Sequence, residues 1–226
     1  MIVKKKNDII KILLSIILWV GDFFMKVNDY ALWRCQVERC EKCSLSETRT
    51  QVVVSREKSP KNDKTVFLLG EAPGGNEDLE GIPFCGQAGS ILQEFLELSG
   101  LSEQELYIGN VVKCRPVKPS KRGRYGNYAN RKPTSKEMKS CVPWLIEELK
   151  LVEPKVLVTL GNVPLSFVMG KNLPIGNYHG KEFFSERLGL WVFPLYHPAA
   201  LIYDRSKRQS YEEDVKKLKK FVSTII

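Results

Sequence analysis

Four of the six cysteines could share one centre: Cys40 and Cys43 form a C-x-x-C, Cys114 follows an apolar run, and Cys141 lies further along. Thiolates in a set of four suit an iron–sulfur cluster or a structural zinc. Zinc sites usually pair two short knuckles, and only one is present, which favours [4Fe–4S]. Cys35 and Cys85 are left over and read as small apolar filler. Of the two histidines, His197 ends an apolar run and precedes Pro198, whereas His179 in NYHGK reads as surface. Gly70–Gly89 (GEAPGGNEDLEGIPFCGQAG) carries the carboxylates Glu71, Glu77, Asp78 and Glu80, with one aromatic, Phe84, between Pro83 and Cys85. A solvated loop needs neither that length nor a buried-type aromatic, so this stretch reads as a pocket wall.

The flanking elements say how such groups would be positioned. Thr65–Leu69 is a short apolar run of the kind that fills a strand buried on both faces. Ser90–Leu98 places Ile91, Leu92, Phe95 and Leu98 on one helical face, while the glycines and prolines between exclude either element. Leu106–Val112, Val156–Leu160 and Trp191–Tyr196 read as further buried strands, and Val52–Val54 as a short one. Thr134 with Glu137 forms a capping box that opens a helix through Cys141, Trp144, Leu145 and Leu149. A short helix near Pro164–Met169 and an amphipathic one over Tyr211–Ile226 complete the pattern. Strands alternating with helices predict an α/β fold, a three-layer α/β/α sandwich on a mainly parallel four-stranded central sheet. The loop 70–89, Asn110 and His197 then all fall at carboxyl ends of strands, where open α/β sheets bind ligands.

A chain of 226 residues with a formal net charge of +9 holds one core and favours a polyanionic partner, nucleic acid or an acidic membrane surface. The stretch 117–131 reads as a basic insertion and a loop; with Lys132 it carries Lys118, Lys121, Arg122, Arg124 and Arg131 and no acid, interleaved with Tyr125 and Tyr128. Residues 1–25 open with Lys4–Lys6 and an apolar run that has no small-residue cleavage site and is short for a membrane span. They read as leader, surface helix or membrane-associating helix, with Met25 resembling a natural start and 26–226 forming the single domain.

Taken together, GEAPGGNEDLEGIPFCGQAG, NVVKCRP with NRKPTSKEMKSC, and YHPAAL resemble the family 4, iron–sulfur type of uracil-DNA glycosylase, in that family's order and over most of the chain. The resemblance implies [4Fe–4S] ligation by Cys40, Cys43, Cys114 and Cys141. It further implies uracil stacking on Phe84, uracil-edge recognition by Asn110 and leaving-group stabilisation by His197, with Glu71, Ala72 and Gly74 completing the substrate wall. The residue types agree. A base must leave the stack to be reached, and an aromatic platform receives it. One amide can accept from uracil N3–H and donate to O4, a pattern cytosine reverses. A histidine donor at O2 stabilises charge that appears only in the transition state.

The sister family has a water-orienting aspartate at the position of Ala72 and a thymine-excluding tyrosine at that of Gly74. Glu77 is the expected substitute for one or both roles, and Glu71 is expected to act mainly through its backbone. Cys85 replaces a small aliphatic residue, a near-isosteric change. A related branch carries an insertion whose histidine attacks the sugar; the insertion here has none, so turnover is expected.

The sequence therefore predicts a monomeric, monofunctional glycosylase acting on uracil in single- or double-stranded DNA within the reducing cytoplasm. Residues 1–20 would add at most a weak membrane association. Expected backbone contacts are Lys121, Arg122 and Arg124, or failing those Arg205, Lys207 and Arg208. The alternative is a non-catalytic basic iron–sulfur or zinc DNA-binding module on the same scaffold. The joint presence of Asn110, His197 and Phe84 argues against it.

Overall fold

Val66–Gly70 contains no polar side chain, and all five of its residues are buried. Alternation along this strand sends Val66 and Leu68 into one apolar cluster and Phe67 and Leu69 into another, on the opposite face. The protein is described by a computed structural model covering residues 29–55, 66–101, 105–121 and 126–225. Its strands are β1 (Val66–Gly70), β2 (Leu106–Asn110), β3 (Val117–Pro119), β4 (Tyr128–Asn130), β5 (Val156–Leu160), β6 (Phe183–Ser185) and β7 (Leu190–Leu195). Its helices are α1 (29–38), α2 (Gly75–Glu80), α3 (Gln87–Ser99), α4 (Ser135–Val152), α5 (Asn162–Met169), α6 (Ala200–Tyr203) and α7 (Arg208–Ile225).

The central sheet has five strands in the order β2-β1-β5-β7-β6, with β6 the antiparallel edge and the rest parallel. One face packs on Tyr30, Trp33 and Val37 of α1 and on Trp144, Leu145 and Leu149 of α4. The other packs on Leu92 and Phe95 of α3 and on Tyr211, Val215 and Leu218 of α7. The three-layer α/β/α sandwich is as expected, but the sheet has five strands rather than four. The extra strand, β6, is three residues long, too short to leave a hydrophobic period in the sequence.

Three local readings are corrected. The stretch after β1 does contain an element, α2, because Glu77 three residues beyond Gly74 accepts from the Gly74 N–H and Gly81, at φ 70°, ends the turn. The basic stretch is not merely a loop: β3 and β4 pair antiparallel, with Val117 opposite Asn130. Val52–Val54 is buried but joins no strand; the Val53 N–H donates to the Lys113 carbonyl at 2.8 Å. The apolar segment 1–25, with its membrane reading, lies outside the described residues.

The hairpin is tied to α4 by charge. Arg131 reaches back to the Val117 carbonyl at 2.8 Å and grips Glu137 through both nitrogens, at 2.8 and 2.6 Å. Glu137 also closes the α4 capping box with Thr134. The Arg131 guanidinium and these N–H donors hold the Glu137 carboxyl down at about 2, from an ordinary 4.5. A depressed carboxylate contributes stability above its unfolded value and loses it as pH falls through its folded one. Urea melts of wild type and Glu137→Gln are therefore expected to differ at neutral pH and to converge between pH 4.5 and about 2. A difference that persists unchanged at the acid end would contradict the pairing.

Candidate active site and cysteine cavity

Gly70 ends β1 and lies in register with Asn110, the last residue of β2. A Cβ placed at Gly70 would lie 2.3 Å from Asn110 Oδ1 and 2.9 Å from the tip of the Phe84 ring. The missing side chain is what brings amide and aromatic together. Asn110 is 2% exposed, and its Nδ2 is buried with no hydrogen-bond partner among the described residues. An orphaned amide of this kind typically costs about 1–3 kcal/mol, a penalty that a ligand carrying an acceptor removes.

Phe84 sits at φ 54°, left-handed backbone that a side chain rarely adopts. Its N–H donates to Glu77 Oε1 at 3.0 Å. Its carbonyl fills the space beside Gly89, where a Cβ would come within 1.7 Å, so that position admits only glycine. Glu77 thus has its two oxygens engaged by the backbone of Gly74 and Phe84. Burial raises its carboxyl, and those two donors pull it back. At Gly74 a Cβ would come within 2.6 Å of Glu77 Oε2, so a side chain there would push that carboxylate off the Gly74 N–H.

His197 follows β7 by two residues. Its Nδ1 accepts the Ala199 N–H at 3.1 Å, so the neutral ring carries its proton on Nε2. Burial lowers its titration from 6.5 to about 4, and its ring stacks with Phe84 at a centroid distance of 5.8 Å. Gly161, at φ 94°, makes room for it: a Cβ there would lie 3.2 Å from that of His197.

A cavity of about 890 Å³ opens at these strand ends, with Glu71, Ala72, Gly74, Glu77, Phe84 and His197 on its wall. Asn110 lies deeper, outside that wall. Burial raises the Glu71 carboxyl against the pull of Lys132, and its carbonyl accepts from the Val112 N–H at 3.1 Å. Sequence reasoning missed Asn130 and Arg131, which reach the same cavity from the hairpin. Arg115 donates to Asn130 Oδ1 at 2.8 Å, which turns the amide nitrogen toward Gly74. The only available signal was the unbroken positive charge of that stretch.

Of the backbone-contact candidates, Lys121 is exposed, while Arg122 and Arg124 lie outside the described residues. Lys207 is paired with Asp204, and Arg208 with Glu94 and Glu212; Arg205 is exposed. Tyr203, four residues past Ala199, is 89% exposed. His179 is not simply surface: its Nδ1 pairs with the buried Asp214 at 2.5 Å and its ring packs on Tyr196. The partner comes from α7, thirty-five residues away, which no local pattern announces.

Cys40, Cys43, Cys114 and Cys141 line one small cavity with Trp144 and Arg49. Three of the four sulfurs receive N–H donors: Cys40 from Trp144 at 3.2 Å, Cys114 from Arg49 at 3.4 Å and Cys141 from the Lys113 backbone at 3.3 Å. Such donors are what thiolate sulfurs need. Burial pushes the Cys141 thiol up to about 12 and raises that of Cys114, so thiolates persist here only against a compensating cation. Among the described residues no three His, Cys, Asp or Glu side chains gather as they would around a single metal ion.

A mainly parallel α/β sandwich thus carries an orphaned amide, a held aromatic and a neutral histidine together at its strand ends. Residues 57–221 match the Uracil DNA glycosylase superfamily. The chain is 37% identical to the type-4 uracil-DNA glycosylase of Archaeoglobus fulgidus over 191 residues, 81% of this chain and 88% of that one. It is 38% identical to the Sulfurisphaera tokodaii type-4 enzyme over 197 residues, covering 84% and 83%. With the Thermotoga maritima type-4 enzyme it shares 37% over 190 residues, covering 83% and 91%. The chain belongs to the type-4 uracil-DNA glycosylases.

A histidine with a depressed pKa contributes stability at neutral pH that is lost as pH falls from 6.5 toward about 4. Nitrogen-15 NMR is expected to find His197 neutral, with its proton on Nε2, until the pH approaches about 4. A ring that takes up its second proton near 6.5, or that carries its single proton on Nδ1, would contradict this geometry.

Proposed function

We propose that this protein excises uracil from DNA by hydrolysing the N-glycosidic bond, leaving an abasic site for base excision repair. The observation that carries the reading is the buried, unpartnered Asn110 amide beside Phe84 and the neutral His197. Its Oδ1 accepts from uracil N3–H while Nδ2 donates to O4; cytosine would leave both unpaired. Because Asn110 lies deeper than the cavity wall, capture of the base displaces the Phe84 ring, which then stacks on it. The His197 Nε2–H donates to O2 as the leaving uracil becomes an anion. Its neutrality is an advantage, since an uncharged donor needs no proton from solvent at the moment of bond cleavage.

On this reading Glu77 serves to brace the loop, its oxygens each accepting one backbone N–H group. The carboxylate left facing the cavity is Glu71, and it is assigned the attacking water. Lys121, Lys132 and Arg205 are the cations placed along the DNA, whether single- or double-stranded, while Lys207 and Arg208 would first have to exchange their carboxylate partners for phosphate.

The four cysteines fit a [4Fe–4S] cluster: an all-sulfur donor set lining one small cavity, with N–H donors at three of the sulfurs. When bound, the group would cross-link the segment before the sheet to α4, and no step of the reaction passes through it. A thiolate set of this kind suits a reducing compartment, where thiols are kept reduced.

Incubation with a uracil-containing oligonucleotide followed by alkali is expected to give cleavage at uracil and none at thymine or cytosine. His197→Ala should slow the single-turnover rate roughly 100- to 1000-fold, with DNA affinity little changed. No alkali-sensitive product from the wild type would refute the assignment. Separately, protein prepared without oxygen should be brown and contain about four irons per chain, and Cys141→Ser should lose colour and melting temperature together. Colourless protein with one zinc per chain would keep the ligands and refute the cluster.

A further inference from the structure

Asn110 closes the edge strand of the sheet, and among the described residues no further strand pairs with its outward carbonyl. That carbonyl instead accepts from the ammonium of Lys113, three residues on, at 2.8 Å. Lys113 is 1% exposed and ion-paired with Glu148 of α4, whose side chain is fully buried. Glu148 also accepts from the Tyr107 hydroxyl at 2.9 Å, and Tyr107 meets the Tyr30 hydroxyl of α1 at 2.7 Å. Glu148 lies against β2 itself: a Cβ at Gly109 would be 3.4 Å from its Oε1. The Lys113 backbone is fixed as well, donating to Cys141 Sγ at 3.3 Å and accepting from the Val53 N–H at 2.8 Å.

A buried ion pair is a poor way to gain stability. Apolar residues of the same volume often serve as well or better, whereas removing one partner alone leaves a costly unpaired charge. What an apolar pair cannot do here is hold the carbonyl of Asn110. The side chain of that residue must present both ends of one amide to a base, with its oxygen lodged over Gly70 and its nitrogen waiting for an acceptor. A small rotation of residue 110 at the open end of the strand would misdirect both. Two helices of one outer layer, α4 and α1, meet behind this one backbone atom.

We propose that Lys113, held by Glu148, is a positioning residue for base recognition: it fixes the backbone of Asn110 and through it the direction of the recognising amide. The proposal rests on the uracil reading above. It predicts that the pair can be made neutral with little loss of stability but not without loss of recognition. Lys113→Met alone strands Glu148 and should unfold at a markedly lower temperature. Lys113→Met/Glu148→Gln removes both charges, keeps the volume and preserves an acceptor for Tyr107.

The experiment compares wild type and double variant in four measurements: melting temperature, affinity for uracil-free duplex, single-turnover excision rate, and inhibition by free uracil. A second version with Leu at position 148 guards against a packing failure of the first. The expected result is a melting temperature restored to within about 5 °C of wild type and unchanged affinity for uracil-free DNA. Excision should nonetheless fall by about 100-fold, the scale of a small misplacement, and inhibition by free uracil should weaken in step. A merely structural role would not move uracil inhibition once stability is restored. A double variant that excises at the wild-type rate, or slows without any change in uracil inhibition, overturns the proposal. So does failure of both double variants to regain stability, because the pair would then be structural. The wild-type rate is measured first: its absence would refute the uracil reading, whereas a failure confined to the variants refutes only the role of Lys113.

Discussion

The site depends on an atom that is missing. At Gly70 the backbone of β1 ends with no side chain, and the Asn110 amide and the Phe84 ring occupy the space a Cβ would need. Every other arrangement in the pocket follows from keeping those two groups there. Glu77 and Gly89 hold Phe84 in a backbone conformation it would not choose, and strain of that kind persists only where surrounding contacts over-determine it. The parallel register that sets Gly70 against Asn110 depends on both strands being buried in the sheet.

The pocket's electrostatics suit the uracil reading, in which an anion leaves without meeting a bare cation. His197 is neutral and Arg131 is occupied by Glu137, and the two carboxylates on the cavity wall are raised by their burial. On that reading recognition and charge stabilisation fall to directed N–H donors, which act strongly where water is excluded. The cations that remain exposed lie outside the pocket, where phosphate rather than base would meet them.

Much of this was legible in the residues. The runs Thr65–Leu69, Val156–Leu160 and Trp191–Tyr196 could be read as buried strands because they are almost wholly apolar and carry no charge, and the pocket groups followed from lying at their ends. What escaped the sequence was whatever is made by contact rather than by period. Strand β6 is too short to show alternation. The hairpin is held by Arg131, Arg115 and Asn130, polar groups that read as loop. The sequence offers Glu77 as a carboxylate for the water or the C5 edge of the base, and it holds no sign of the bracing contacts that carboxylate makes. The N–H groups of Gly74 and Phe84 come against it only once the loop is folded. The Asp214 partner of His179 was equally beyond reach, since a contact 35 residues apart leaves no local trace.

The cysteine cavity has a consequence for the order in which the chain becomes a protein. Its first two sulfurs precede the sheet, and the indole that donates to Cys40 lies 104 residues beyond it. Strands β1 and β2 and the loop bearing Phe84 all fall inside that span, so during synthesis the floor of the base pocket leaves the ribosome before the wall behind it can close. Loop closure over such a distance grows only slowly in entropic cost with length. The delay is therefore one of synthesis rather than of thermodynamics, and until Trp144 appears the early cysteines are thiols on a nascent chain, open to whatever metal or oxidant the cell supplies first.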